Sequence, residues 1–212
     1  MFLETIRNGS TRIHRLQGDR VFLRPPAFAD WRAWSELRAE SREFLKPWEP
    51  TWPEDALTRP AFRRRLRQYA NEWRDGIGYT FFVFRHREET LLGGVSLANV
   101  RQGVSQSASL GYWMGKTHAN QGYMGEALPK VLDYAFDVLR LHRIEAACLP
   151  ENGPSRSLLS KTGFHEEGVA RKYLRIDSEW RDHLLFAMLS EDWQTIRNAP
   201  RQPANDLRSL EA

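Results

Sequence analysis

The sequence HANQGYMGEAL occupies residues 118–128, and the rest of the chain is arranged around it. It follows the strand-like run LGYWM at 110–114 and leads into a helix-like run over 127–139. A helix start carries unpaired N–H groups and the positive end of the helix dipole, and glycine lets a phosphate approach the backbone closely. The stretch therefore predicts either a phosphate-binding loop or a tight turn in front of a helix.

Strand and helix patterns continue on both sides of this loop. We expect strands at 20–24, 79–85, 91–100, 106–114, 143–149, 164–176 and 179–189, and helices at 30–45, 59–75, 126–139 and 154–161. The strands between 79 and 114 read as an antiparallel meander. Because a short crossover helix separates the strand at 106–114 from the one at 143–149, those two strands are expected to pair in parallel.

Composition indicates one globular domain, since the chain has 212 residues, of which 41% are hydrophobic and 27% charged. No apolar run approaches the ~18 residues of a membrane helix, and the first residues do not resemble a secretory signal. Cys148 is the single cysteine, which excludes an internal disulfide and any multi-cysteine metal site and fits a reducing cytoplasm. The net charge of +4 suits an anionic cofactor or RNA, but a solvated basic surface is the preferred interpretation.

Several motifs carry a family resemblance: QGYM at 121–124, and NGPS at 152–155 followed by GF at 163–164. With the order of elements, they resemble the GCN5-related N-acetyltransferase (GNAT) superfamily over roughly residues 15–193. EFLKPWEP at 43–50, LHRI at 141–144 and IDSEWRDH at 176–183 resemble the RimJ/RimL-type ribosomal-protein alanine N-acetyltransferases.

The resemblance implies an α/β fold with a mixed, mostly antiparallel sheet of about seven strands, a splayed parallel pair and flanking helices. Residues 15–193 would form the acetyltransferase domain, between a flexible N-terminal arm at 1–14 and a disordered C-terminal tail at 194–212.

The resemblance also implies acetyl-CoA as the acetyl donor. Gly122 and Met124 fill the two small-residue slots of the family's phosphate loop, whereas Ala119 stands where the family usually has Arg or Gln. Backbone amides do not depend on that side chain, so cofactor binding is expected to survive the departure. The expected cofactor-binding residues are Tyr112, Trp113, Met114, Gln121, Gly122, Tyr123, Met124, Gly125, Glu126, Asn152 and Ser155.

In this family the acetyl group passes directly to an amine, without a covalent enzyme intermediate, and Cys148 is not expected to act as a nucleophile. The resemblance assigns Ser155 as the proton donor to the leaving sulfur; the alternative is a polar residue in a helix turn capped by Asn152. Leu159 occupies the position where many members carry a tyrosine acid. The proton acceptor stays open among Glu49, Tyr173, Asp182 and His183, each of which could instead be structural.

Three functions follow from these observations. The first is acetylation of the N-terminal α-amine of a protein, possibly a ribosomal one. Because an α-amine has a pKa of about 8, it loses its proton more easily than a lysine side chain does and needs a weaker base. The second is acetylation of a small amine such as a polyamine, amino sugar or antibiotic. The third is a non-catalytic acyl-CoA- or ribosome-binding module that uses the arginine-bearing helix at 59–75. No metal, no membrane, no nucleic acid except through the ribosome, and a cytoplasmic monomer or homodimer are expected.

Overall fold

The structure, a computed structural model, describes residues 4–8 and 11–199. Its strands are Glu4–Asn8 (β1), Thr11–Gln17 (β2), Val21–Arg24 (β3), Tyr79–Arg85 (β4), Leu91–Arg101 (β5), Ser107–Met114 (β6), Arg143–Cys148 (β7), His165–Ile176 (β8) and Glu179–Leu189 (β9). Its helices are Trp31–Glu40 (α1), Arg42–Leu45 (α2), Arg59–Asp75 (α3), Tyr123–Asp133 (α4), Gly153–Thr162 (α5) and Ser190–Asn198 (α6).

These strands form one mixed sheet in the order β1-β2-β3-β4-β5-β6-β7-β9-β8. All neighbours are antiparallel except β6 and β7, which are parallel. Strands β3 to β9 are the seven that the sequence predicts, and the mostly antiparallel α/β architecture is confirmed.

The ends of the chain differ from the sequence prediction. The expected arm at 1–14 contains β1 and the first part of β2, which add to the edge of β3 through the register Leu16↔Leu23. Edge pairing uses backbone hydrogen bonds, so it leaves little apolar pattern in the sequence. The expected disordered tail begins too early, because α6 extends to Asn198 and its Trp193 is buried and donates to Asp133 Oδ1 at 3.0 Å. Residues 200–212 of that predicted tail lie outside the described residues.

Apolar side chains cover both faces of the sheet. The larger cluster joins the sheet to α4, whose Ala127, Leu128 and Val131 are fully buried. The smaller cluster lies on the opposite face, where Trp34 of α1 contacts Phe62 of α3 and Phe62 contacts Phe82 of β4. Within the described ranges, no helix is long and apolar enough to cross a membrane.

The expected splay between β6 and β7 is present. The parallel register runs only from Ser107↔Arg143 to Leu110↔Ala146. Beyond it, β6 continues to Met114 beside β5, while Cys148 of β7 stays paired with Leu184 of β9. Because each strand keeps its outer partner, a gap opens in the middle of the sheet.

Candidate functional site

A cavity of about 960 Å³ crosses the sheet at this gap. One end is lined by residues 118–125 and by α5. The other end is lined by Phe44, Leu45, Trp48 and Pro50, and by Leu174, Arg175, Ile176 and His183 of β8 and β9. Tyr112, Cys148 and Ser155 lie on the wall between the two ends. One continuous space therefore connects the phosphate-binding candidate loop to a second mouth on the opposite face.

The loop before α4 ends in a left-handed residue. Gly122 has φ +80°, and a Cβ placed on it would lie 3.2 Å from Nη2 of Arg20. The first amide to bond back within the helix is that of Glu126, which donates to the Gly122 carbonyl at 3.1 Å. The amides of Tyr123, Met124 and Gly125 therefore form the unpaired first turn.

The expected binding of the cofactor by Glu126 stays a prediction, and both its amide and its carboxylate make contacts within the chain. Its amide is used inside α4, because the helix begins three residues earlier than the sequence predicted. Its carboxylate turns to β3, where it accepts from Nε of Arg20 at 2.9 Å and from the Val21 amide at 3.2 Å. Burial opposes ionisation of Glu126, but hydrogen bonds from the backbone and side chain of Arg20 and from the Val21 amide outweigh it and lower its pKa. Glu126 thus fastens the start of α4 to β3.

Arg20 adds a positive charge beside this loop. Its Nη1 donates to the Gln121 carbonyl at 3.3 Å, and its guanidinium lies 4.8 Å from the centre of the Tyr123 ring. Arg20 lies 101 residues from Gln121 and no local motif links the two, so the sequence pattern carries no signal for this contact. Ala119, by contrast, contributes no charge.

The exposed edge of β6 presents alternate side chains to the cavity. Tyr112 and Met114 line it, whereas the Trp113 side chain lies on the opposite face, edge-on to Phe82 at 6.4 Å. The Arg38 guanidinium lies 4.8 Å from the centre of the Trp113 ring. Trp113 can therefore reach a ligand in the gap only through its backbone.

A cluster of three protic side chains lies at the centre of the cavity. The Tyr112 hydroxyl is 2.6 Å from Oγ of Ser155, and Ser155 lies close enough to Cys148 to oppose the rise in the pKa of its thiol. Burial raises the pKa of Tyr112 to about 12, with the Ser155 hydrogen bond opposing the rise, and burial also raises the pKa of Cys148. All three groups are consequently protonated at neutral pH. The Tyr112 side chain is a functional candidate that the sequence reasoning missed, because only the register of β6 brings it to Ser155.

Asn152 has the capping role that the sequence left as an alternative. Its Oδ1 accepts from the Ser155 amide at 3.1 Å, and it precedes the first residue of α5. Both Asn152 and Ser155 line the cavity. Capping holds the start of α5 in place and so positions the Ser155 hydroxyl.

Glu49 does not line the cavity, and its catalytic role stays a prediction. Its two carboxylate oxygens accept from Arg38 at 2.8 and 2.6 Å, and Oε2 also accepts from Trp52 Nε1 at 2.7 Å. The Glu49 carbonyl accepts from the Asp177 amide at 3.1 Å, at the turn between β8 and β9. The Glu49 carboxylate therefore fastens the proline-rich loop to α1, its backbone carbonyl fastens the loop to the β8–β9 hairpin, and the residue does not line the cavity.

The catalytic role of Tyr173 also stays a prediction. Its side chain is 48% exposed and does not line the cavity, but its ring meets His183 edge-on at 5.8 Å. His183 is only 3% exposed and does line the cavity. Asp182 accepts from the Lys172 amide at 2.7 Å, at a bulge in β8. Of the four proton-acceptor candidates, the structure brings only His183 to the cavity.

In the part of the chain that the structure describes, no group of three or more His, Cys, Asp or Glu side chains could hold a metal ion. The cavity chemistry available from these residues is therefore backbone N–H donation, hydroxyl proton donation and imidazole proton acceptance.

Comparisons with known proteins identify the family. The model of the acetyltransferase (GNAT) domain matches residues 20–165. The [ribosomal protein uS5]-alanine N-acetyltransferase of Escherichia coli is 36% identical over 84% of this chain and 92% of its own length. A probable N-acetyltransferase of Bacillus subtilis, YjcK, is 37% identical over 84% of this chain and 98% of its own length.

A solved structure agrees with these relatives. RimJ of Mycobacterium smegmatis, in complex with CoA-disulfide, superposes with a TM-score of 0.79 at 35% identity and covers 85% of this chain and 88% of its own. The expected resemblance to RimJ/RimL-type enzymes, the acetyltransferase activity and acetyl-CoA as the acetyl donor are thereby confirmed. The chain belongs to the GNAT acetyltransferase family.

Proposed function

We propose that this N-acetyltransferase acetylates the N-terminal α-amine of a protein, and that a ribosomal protein in the cytoplasm is the substrate. The observation that carries the proposal is the single cavity that joins the start of α4 to a second mouth between the proline-rich loop and the β8–β9 hairpin. The similarity to the uS5-alanine enzyme supports the choice of acceptor. Whether the protein is a monomer or a homodimer stays a prediction.

The chain's residues fit acetyl-CoA at the first mouth. The unpaired amides of Tyr123, Met124 and Gly125, at the positive end of α4, suit a pyrophosphate. The open edge of β6 offers backbone groups at Tyr112 and Met114 to an extended pantetheine arm. When bound, acetyl-CoA supplies the acetyl group that the amine takes directly.

Ser155 and Tyr112 supply the proton that the sulfur needs. The Ser155 hydroxyl lies beside Cys148 at the end of the gap and is hydrogen-bonded to Tyr112. Since Tyr112 keeps its proton at neutral pH, it can return a proton to Ser155 after Ser155 has donated one. The Tyr112 phenol takes over the function for which many family members use a tyrosine at the position of Leu159.

The charge of the cavity wall favours a peptide over a polycation. Among the described residues that line it there is no Asp or Glu, and its permanently charged side chains are Lys161 and Arg175. A polyamine or a polyaminated sugar would place several ammonium groups in a space with no carboxylate to pair them. A peptide brings one α-amine, which must be neutral to react.

Acetyl transfer from labelled acetyl-CoA to two panels of acceptors tests this function. The first panel holds peptides with a free N-terminal Ala or Ser and matched peptides whose N-terminus is blocked but whose lysines are free. The second holds polyamines and amino sugars. We expect label only on the free α-amines. Label confined to small amines overturns the acceptor assignment, and acetyl-CoA binding without any transfer overturns catalysis in favour of a binding module.

A further inference from the structure

The cavity wall limits which group can take a proton from the acceptor. Because no Asp or Glu lines it in the described part of the chain, a carboxylate base is not available there. Two histidines do line it, His118 and His183. His118 belongs to the loop that leads to α4, at the phosphate end, and burial lowers its pKa. His183 lies at the second mouth, where the amine must enter.

The hydrogen bond of His183 defines which nitrogen is free. Nδ1 lies 3.0 Å from the carbonyl oxygen of Arg181, and a carbonyl can only accept, so Nδ1 carries the hydrogen. In the neutral ring the other nitrogen, Nε2, is then an acceptor. No atom of the described residues hydrogen-bonds Nε2. The ring is held on its second side by the edge-on contact with Tyr173.

Strand register places His183 across the sheet from the proton donors. Cys148 pairs with Leu184, so both side chains lie on one face, together with Tyr112 and Ser155. His183 is the next residue along β9 and therefore projects from the opposite face. A thioester held in the gap between β6 and β7 would thus have hydroxyl donors on one face and the imidazole on the other.

We propose that Nε2 of His183 accepts the proton that the acceptor amine loses during acetyl transfer. The amine nitrogen bonds to the acetyl carbon while the carbon–sulfur bond breaks. The amine proton goes to Nε2 of His183, and the sulfur takes a proton from the Ser155 hydroxyl, which Tyr112 then reprotonates. Exchange with water returns a proton to Tyr112 and removes the one held by His183. The Arg181 carbonyl, already bonded to Nδ1–H, stabilises the imidazolium that forms.

This inference rests on the proposed function. The other three candidate proton acceptors make contacts outside the cavity, which supports His183. Glu49 is paired with Arg38, Asp182 accepts from the Lys172 amide, and Tyr173 lies outside the cavity. An α-amine with a pKa of about 8 is partly neutral near pH 7, so an imidazole is a sufficient base.

The test replaces His183 by Asn, whose amide can keep the hydrogen bond to the Arg181 carbonyl while the Nε2 lone pair is lost. We expect kcat to fall by about 10²-fold, with the affinity for acetyl-CoA unchanged. The matched control is His165→Asn, because His165 is exposed at the start of β8 and does not line the cavity. Added imidazole should restore part of the activity of His183→Asn and leave the control unaffected.

A second acceptor separates proton removal from structural damage. A peptide that begins with trifluoroalanine has a much less basic amine, whose nitrogen releases its proton more readily once it has attacked the acetyl carbon, so the loss caused by His183→Asn should shrink on it. An equal loss on both acceptors, without imidazole rescue, or an unchanged kcat would overturn the role of His183.

Both variants are assayed on whichever amine the unmodified protein acetylates. A small-amine acceptor would therefore contradict the proposed function while the His183 comparison still gives its own answer. Equal melting temperatures of His183→Asn and the unmodified chain would show that the fold is kept. If His183→Asn unfolds, His183→Gln takes its place, because its amide reaches the Nε2 position without being basic.

Discussion

The phenol oxygen of Tyr112 lies 2.6 Å from Oγ of Ser155, although 43 residues separate them in the chain. Burial keeps the Tyr112 proton in place, since it raises the pKa to about 12. We therefore predict that Tyr112→Phe lowers kcat by about 10²-fold. The affinity for acetyl-CoA, measured by calorimetry, should stay nearly constant, because the ring itself is retained.

The same pair should behave as a unit. Ser155→Ala is expected to lower kcat to a similar degree, and the double variant should be little worse than either single one. Losses that multiply in the double variant would show that the two hydroxyls act independently. An unchanged kcat in Ser155→Ala would remove the proton-donor role from this cluster.

Gly122 has a left-handed backbone conformation and lies in the loop that is expected to bind the cofactor. With φ +80°, an added side chain is strained, and its Cβ would lie 3.2 Å from Nη2 of Arg20. We predict that Gly122→Ala weakens acetyl-CoA binding by about tenfold, or ~1.4 kcal/mol, because the first turn of α4 must shift. Gly103→Ala is the matched control: its φ is +70°, but no atom lies within 4 Å of the added Cβ. Equal acetyl-CoA affinities in the two variants would show that Gly122 is not part of the cofactor site.

Glu126 should contribute stability in a pH-dependent way. In the folded protein the pKa of Glu126 lies below the ordinary value of 4.5. Its contribution to the free energy of unfolding is therefore complete at pH values above 4.5 and is lost as the pH falls through the pKa of the folded state. We predict that Glu126→Gln lowers the free energy of unfolding at pH 7 by about 2 kcal/mol and that this difference shrinks below pH 4. Urea unfolding at both pH values measures it.

Glu36→Gln serves as the control for Glu126, because Glu36 is exposed and its pair with Arg32 is an ordinary surface pair on a helix. A destabilisation by Glu126→Gln that is the same at pH 3.5 and pH 7 would contradict the assignment of the ionised carboxylate to the contact with Arg20.

The Arg38–Glu49 pair should affect binding of the acceptor peptide and not the rate of acetyl transfer. Glu49→Gln removes the charge that pairs with Arg38 and so weakens the attachment of the proline-rich loop to α1; we therefore predict a higher KM for the acceptor peptide and a kcat within a few-fold of the original. Glu43→Gln, an exposed position on α2, is the control. If kcat collapses at unchanged KM, Glu49 is the base after all.

Local sequence signals were sufficient for most of the fold. The bounds of α3, β4 and β9 were predicted to the residue, and the structure shows that Gly76 and Gly163 end α3 and α5 in left-handed conformations. The order of elements and the family motifs predicted the splay of β6 from β7. The helix and strand bounds depend on short-range periodicity and turn chemistry, which a single sequence carries, whereas the splay was implied by the family resemblance.

The candidate site depended more on tertiary structure. Tyr112 was expected only as a backbone contact, because nothing near it in sequence reveals its partner Ser155. Glu126 and Glu49 were assigned by their position in motifs, whereas long-range contacts with Arg20 and Arg38 decide where their carboxylates point. Side-chain pairing between distant elements is the information that the sequence pattern lacks.

The proposed acceptor is a protein α-amine. One peptide with a free N-terminal alanine and an internal lysine is incubated with acetyl-CoA, the enzyme and an equal concentration of spermidine, and tandem mass spectrometry locates the acetyl group. We predict a single acetyl group on the alanine α-amine and unmodified lysine and spermidine. Acetyl on the lysine or on spermidine, with the α-amine free, would rule out the α-amine as the acceptor.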